Sequence, residues 1–339
     1  IWASSFLTSS LSPNHGVLMT ATSNAAAAFG VDLLPCDITP YKAGNTGVDY
    51  MTIFDSGVAG PHLMINALTH GNEVCGAHAL RFLFEKDVRP TRGKLTLSFA
   101  NIDAYESFNA DYPYASRYVD EDFNRIWNEA TLDGPRESRE LTRGRAMRPV
   151  VDTVDHMLDI HSVELPQPAM LLAGSQAKGR TLSAAIGAPR HVVIDAGHAA
   201  GKRIRDYAQF DDPSRDSAAC LVECGYHFYK EAADIAVETS LRFLRHHDAI
   251  DPTFLAEHLG ETNDEEQLFI EVSGPVTVET DNFVFDRVFE GFEIVPDEGT
   301  LIGTDDGRKV RTPYANCVMI MPAREPVKGK TAVRLGRLV

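Results

Sequence analysis

Over roughly the first 250 residues, short apolar runs alternate with longer stretches in which apolar residues recur at helical spacing. Residues 48–54, 62–68, 95–99, 157–160, 191–194 and 218–222 read as strands, the first two separated by Gly57 and the turn Gly60-Pro61. Residues 74–84, carrying Leu80, Phe82, Leu83 and Phe84, read as a helix, as do the charge-mixed residues 136–154. A long helix follows at residues 232–246, with Ile235, Val237, Leu241 and Leu244 on its apolar side. The alternation predicts an α/β domain over residues 1–247, with helices flanking a central mixed sheet. The pattern then changes. Residues 248–266 contain Asp251-Pro252 and the acidic run Asp264-Glu265-Glu266 and read as a linker. From residue 267 to 339, β-rich runs at 268–272, 276–278, 283–285 and 317–321 lie between Gly, Pro and Asp turns, predicting a smaller C-terminal all-β domain. No internal repeat or low-complexity tract interrupts this plan.

Composition narrows the function. The 339 residues are 44% hydrophobic and 24% charged, as expected of a globular chain, and 32 Lys+Arg against 48 Asp+Glu give a net charge of -16. That balance disfavours nucleic acid and acidic membrane surfaces as partners, so any anion-binding site must be built locally. Cys36, Cys75, Cys220, Cys224 and Cys317 are odd in number and lack CxxC spacing, which points to reduced thiols in a cytoplasm rather than a disulfide framework. Residues 1–6 show no basic region followed by an apolar core, and no segment reaches the apolar length of a membrane span.

Three constellations carry chemistry. His70-Gly71-Asn72-Glu73 follows the apolar run 63–68 as if mounted on a strand end; an imidazole and a carboxylate three residues apart can converge on one cation. Alone, the tetrapeptide is a weak match and reads more readily as a polar loop after a strand. Asp159-Ile160-His161 ends another strand with a histidine, which would complete a His₂Glu zinc set open to water, and Asp159 is placed to orient the ring. Glu223 closes the apolar run at 221–222. A buried carboxylate there requires a partner or a use, and beside a water activated by a metal it would serve as general base and then as proton donor. Glu164, in the loop Glu164-Leu165-Pro166, competes for that role. Between the two histidines, Arg117, Asn124 and Arg125 bracket an acidic stretch that includes Asp120, Glu121 and Asp122. Paired arginines match a substrate carboxylate or a developing oxyanion, although a surface ion-pair network would have the same composition. His78 and His246-His247 have no partner at ligand spacing and read as structural or exposed.

Taken in this order, the motifs His70-Gly71-Asn72-Glu73, Arg117-Tyr118-Val119-Asp120, Asp122-Phe123-Asn124-Arg125-Ile126-Trp127, Asp159-Ile160-His161 and Glu223-Cys224-Gly225 resemble the succinylglutamate desuccinylase/aspartoacylase family. That family of zinc-dependent hydrolases is similar in fold to the zinc carboxypeptidases. The resemblance covers roughly residues 45–245, and the β-rich tail is compatible with the family's smaller C-terminal domain. It implies one Zn²⁺ per chain held by His70, Glu73 and His161, with Glu223 as general acid/base and Arg117 polarising the scissile carbonyl. Asn124 and Arg125 would hold a substrate carboxylate. The implied reaction is hydrolysis of the linear amide of a small N-acyl amino acid. Aspartoacylase-like members carry an arginine ahead of the catalytic glutamate that grips a side-chain carboxylate. Here Arg215 is the nearest candidate, at a shorter separation, with Arg203 and Arg205 further back, and Tyr314 is a candidate from the tail. The same ligand pattern also serves a peptide-cutting carboxypeptidase, and a non-catalytic metal-stabilised binding protein is a third reading. Retention of Glu223 and both arginines argues against the last, because a structural zinc site is normally closed by four protein ligands. A homo-oligomer is the usual state of such enzymes, but no residue pattern specifies it.

Overall fold

In a computed structural model, residues 29–197, 200–259 and 266–339 are described. Residues 1–6, read above for a leader, and residues 260–265 of the expected linker lie outside the described residues. The N-terminal part supplies β1 (Met51–Asp55), β2 (His62–Ala67), β3 (Lys94–Phe99), β4 (His156–Val163), β5 (Met170–Leu172), β6 (His191–Ile194) and β7 (Ala218–Tyr226). The C-terminal part supplies β8 (Leu268–Thr277), β9 (Phe283–Phe285), β10 (Ile294–Val295), β11 (Leu301–Asp305), β12 (Arg308–Arg311), β13 (Cys317–Ile320) and β14 (Thr331–Leu338). Eleven of these form one mixed sheet in the order β1-β3-β2-β4-β7-β5-β6-β8-β14-β13-β10, while β12-β11-β9 form a small antiparallel sheet.

The centre of the large sheet is parallel, β3-β2-β4-β7, so the carboxyl ends of β2, β4 and β7 lie side by side. Period-two alternation divides its side chains between two apolar layers. Leu63, Ile65, Leu158, Ile160, Cys220 and Val222 face one layer, under the helices Cys75–Glu85 and Lys230–His246. Met64, Met157 and Ala219 face the other, against Phe123, Ile126, Trp127 and the helix Arg139–Val151. That last helix starts where Ser138 accepts a hydrogen bond from Leu141 N at 2.9 Å, the usual N-cap arrangement.

Two expectations change. The sheet runs across the proposed boundary, since β8 pairs in parallel with β6 and in antiparallel with β14. The segment expected to be a linker also contains the helix Pro252–His258, started by Asp251, whose side chain accepts from Thr253 N at 2.7 Å. The Asp-Pro pair signalled a helix start there rather than a loop, because proline lacks only an N–H that the first turn leaves unpaired anyway. All five cysteines are free and buried, and among the described residues no helix is long and apolar enough to cross a membrane.

Candidate active site

β2 runs into a tight, fully buried turn that begins with Leu68 at φ 60° and delivers His70 and Glu73 to the carboxyl end of the sheet. The glycine between them is required. A Cβ on Gly71 would lie 2.3 Å from Ala104 C, 2.4 Å from Tyr105 N and 2.5 Å from Ser116 O, distances that no side chain tolerates. The same close approach lets Gly71 N donate to Arg117 O at 3.1 Å, fastening this turn to the arginine loop.

From the neighbouring strand, β4 places His161 opposite. His70 Nδ1 lies 2.7 Å from Glu73 Oε1 and His161 Nδ1 lies 2.6 Å from Glu73 Oε2. The second contact does not have hydrogen-bond geometry, and among the described residues Glu73 Oε2 is buried without a hydrogen-bond partner. Ligand atoms of the three residues all lie within 4.8 Å of one another, and all three side chains are buried. Two imidazoles set against the two oxygens of one buried carboxylate suit a divalent cation, and this N₂O donor set fits Zn²⁺. Burial pushes the Glu73 carboxyl up, but His70 and His161 outweigh it and hold it well below the usual range. Burial likewise disfavours charge on His161, but Asp159 and Glu73 hold its pKa well above the ordinary value.

Each histidine is oriented from behind. Asp159 Oδ2 lies 2.7 Å from His161 Nε2, as expected, and its Oδ1 accepts from Asn66 Nδ2 at 2.7 Å and Thr69 Oγ1 at 3.0 Å. The support of His70 is Asp122, to which its motif assigned no role of its own: Oδ1 lies 2.9 Å from His70 Nε2. Burial would raise the Asp122 carboxyl, but His70, Arg117 and Arg125 drive it far below the usual range. Carboxylates of this kind fix the tautomer and direction of ligating rings.

A second unforeseen residue holds the arginine loop. Glu140 is 0% exposed, and its carboxylate accepts from three consecutive backbone amides, Val119 N at 2.7 Å, Asp120 N at 3.1 Å and Glu121 N at 3.3 Å. Asn101 Nδ2 donates a fourth bond at 3.1 Å. Such a concave row of amides is an anion nest, here filled by the protein's own side chain.

The catalytic end of β7 brings Glu223 into register with His161. Burial pushes the Glu223 carboxyl up, and although His161 opposes this, Glu73 adds to it, leaving its pKa at about 8. Among the described residues its Oε2 is buried without a hydrogen-bond partner. These groups line a cavity of about 570 Å³ together with Arg117, Asn124 and Arg125. Arg117 lies 3.4 Å from both Glu73 Oε1 and Asp122 Oδ2. Asn124 Oδ1 accepts from Ile204 N at 3.0 Å, which fixes the amide and leaves Nδ2 as a donor. His227 also lines the cavity; Ser162 Oγ lies 2.8 Å from its Nδ1, and burial lowers its pKa to about 3, so it is neutral.

Two candidates do not join this group. Arg215 is exposed, its carbonyl accepting from Lys178 Nζ at 3.1 Å. It precedes the amino end of β7, and the run from Ala218 to Glu223 puts about 17 Å of strand between that end and the site. Tyr314 is buried away from the cavity, with its hydroxyl on Ser273 Oγ and Arg337 over its ring. The arginines that do line the cavity from beyond the motifs are Arg203, Arg324 and Arg334. Arg203 is paired to Asp195 at 2.8 and 3.1 Å, and Arg205 reaches the same carboxylate at 2.8 Å without lining the cavity. Glu164 lines the rim and is exposed, in keeping with a solvated loop.

With this geometry in hand, comparisons with known proteins are informative. The family model of the succinylglutamate desuccinylase/aspartoacylase catalytic domain matches residues 59–247. Among solved structures, succinylglutamate desuccinylase from Vibrio cholerae superposes with a TM-score of 0.60 at 14% identity, covering 83% of this chain and 82% of that one. A succinylglutamate desuccinylase/aspartoacylase from Rhodobacter sphaeroides gives 0.61 at 15%, covering 85% and 88%. The ectoine utilization protein EutE (DoeB) from Ruegeria pomeroyi gives 0.58 at 16%, covering 86% and 92%. At these identities the likeness establishes the fold. Comparison with curated proteins finds no match.

Proposed function

The chain belongs to the succinylglutamate desuccinylase/aspartoacylase family, and from that premise we propose that it is a zinc-dependent deacylase, hydrolysing the linear amide of a small N-acyl amino acid or related N-acyl compound. The observation that carries this reading is the meeting of His70, Glu73, His161 and Glu223 at one end of the parallel strands, beside a cavity lined by Arg117, Asn124 and Arg125.

His70, Glu73 and His161 would hold the zinc ion, which when bound supplies Lewis acidity toward the carbonyl and lowers the pKa of water. Glu223 takes the proton of the attacking water on a carboxylate oxygen and delivers it to the amide nitrogen as the C–N bond breaks. Its unpartnered Oε2 leaves that oxygen free for both transfers. Arg117, its charge favoured by Asp122 and Glu73 against the burial that opposes it, donates to the acyl oxygen as negative charge grows there. Asn124 Nδ2 and the Arg125 guanidinium hold the carboxylate of the amino acid product half. Asp122 and Asp159 keep the two imidazoles turned toward Glu73.

The test is a hydrolysis panel of acetyl, succinyl and other N-acyl amino acids beside peptides, using wild type and Glu223→Gln. Release of the acid from N-acyl amino acids by wild type, at least ~100-fold slower in the variant, is the expected result. Preference for peptides would favour a carboxypeptidase instead, and equal rates in the two proteins would remove Glu223 from the mechanism.

A further inference from the structure

Beyond Glu223, β7 does not continue in step with β4. His161 pairs with Glu223 and Val163 with Tyr226, so Ser162 alone faces two residues, Cys224 and Gly225. This is a β-bulge, a device uncommon between parallel strands, which bends the bulged strand and re-aims a side chain beside a site. Gly225 takes φ 93°, a conformation that residues with a Cβ rarely adopt, so a glycine is needed there. The bulge turns His227 back against β4. His227 N donates to Val163 O at 3.0 Å, and Ser162 Oγ lies 2.8 Å from His227 Nδ1, so backbone and side chain together close the two strands beyond the bulge. Ser162 and His227 both line the cavity with Glu223.

Packing alone does not account for this histidine. It is 0% exposed, its ring centre 6.0 Å from that of Tyr114 and 5.6 Å from that of Phe228. Among the described residues its Nε2 has no hydrogen-bond partner, and a buried ring nitrogen left idle costs stability that an apolar ring would not. What the imidazole does supply is its link to Ser162, which ties the strand carrying the ligand His161 to the strand carrying Glu223. We propose that Ser162 and His227 are positioning residues, whose hydrogen bond spans the bulge and fixes the Glu223 carboxylate relative to His70, Glu73 and His161. This rests on the deacylase reading. The groups assigned to the metal and to the substrate carboxylate are left in place when the bond is lost. Proton transfer by Glu223 is what suffers, because a reacting group misplaced by about 1 Å can cost about 100-fold in rate.

The experiment measures kcat, KM, bound zinc and melting temperature for wild type, Ser162→Ala, the double variant Ser162→Ala with His227→Phe, and His227→Asn. In Ser162→Ala and the double variant, kcat should fall about 10- to 100-fold while KM stays within about twofold and zinc remains bound. The double variant replaces both partners by apolar groups, so its melting temperature should equal or exceed that of wild type. His227→Asn, whose amide reaches Ser162 from near the Nδ1 position, should recover much of kcat. Wild-type kcat in the double variant would overturn the proposal. So would losses of zinc or melting temperature that track kcat, or a His227→Asn protein no faster than the double variant. Hydrogen exchange on the zinc-stripped protein gives a readout that does not need turnover. The amides of residues 224–227 should exchange at least about tenfold faster in Ser162→Ala than in wild type, with residues 218–222 unchanged. Unaltered exchange at 224–227 would overturn the proposal as well. If wild type releases acid from no N-acyl amino acid, the deacylase reading fails, and the bond's hold on the end of β7 is decided by the exchange data.

Discussion

Replacing Glu140 by glutamine tests whether the active-site loop is held by one buried carboxylate. Oε1 accepts from Val119 N at 2.7 Å and Asn101 Nδ2 at 3.1 Å, and Oε2 accepts from Asp120 N at 3.1 Å and Glu121 N at 3.3 Å. Glutamine keeps one acceptor. With its oxygen at the Oε1 position, the amide NH₂ faces two backbone N–H groups, and both lose a bond to a charged acceptor worth about 1.5–3 kcal/mol each. Some of that is recovered by relaxation and water, so a destabilisation of about 3–5 kcal/mol follows, a large share of the roughly 5–15 kcal/mol typical of a folded domain. The same loop carries Arg117 and Asp122, and Asp122 supports His70, so kcat/KM and zinc affinity should fall along with stability. Urea unfolding gives the energy, and hydrogen exchange at residues 119–121 reports the amides directly. A change under about 1 kcal/mol with unaltered exchange at those amides would refute the assignment, because two lost bonds to a charge cannot be that cheap.

Further outcomes follow from individual contacts. Asp122→Asn keeps the shape but weakens the orientation of His70, and zinc affinity measured by competition with a chelator should fall about 10- to 100-fold. Gly71→Ala has no room for its methyl group and should displace the turn, detected as loss of zinc binding and a lower melting temperature. Asp195→Asn leaves Arg203 and Arg205 without their shared carboxylate, which should cost about 3–5 kcal/mol at pH 7 in urea unfolding. The pH dependence has a definite sign. Burial raises the Asp195 carboxyl, but Arg203 and Arg205 lower it overall, so its folded pKa lies below its unfolded value. Its stabilisation is present above the ordinary Asp pKa of about 3.9 and is lost as pH falls from there through the folded pKa. The gap between wild type and Asp195→Asn should therefore narrow on acidification below about pH 4; a gap that is constant or widens would count against the pairing.

The motifs were legible because parallel strands impose them. Apolar runs ending in His70, His161 and Glu223 are what a buried β2-β4-β7 core looks like in sequence, and their carboxyl ends must adjoin. Arg117, Asn124 and Arg125 could be read because they sit close together in the chain. Arg203 could not, since the short turn Ile204–Asp206 that sets it has no periodicity, and its pairing with Asp195 spans a region without a motif. The helix Ala177–Ile186 escaped notice because Gly179 sits inside it, where a Cβ would meet Ala173 O at 2.0 Å. β14 escaped because Arg334, Gly336 and Arg337 break its apolar alternation, and one of those interruptions faces the cavity. Glu140 carried no signal either, and the motif that begins at Asp122 did not show what its carboxylate supports. Each looks like an ordinary charged residue until the backbone amides and the imidazole it serves are brought beside it.

Metal dependence of turnover tests the central claim most directly. Protein purified with its metal content measured, then stripped with a chelator and reloaded, should show one zinc per chain, loss of acid release from N-acyl amino acids on stripping, and recovery on adding zinc back. His161→Ala should bind no stoichiometric zinc and remain inactive through the same cycle. Full hydrolysis by the stripped protein, or unchanged turnover in His161→Ala, would contradict the account.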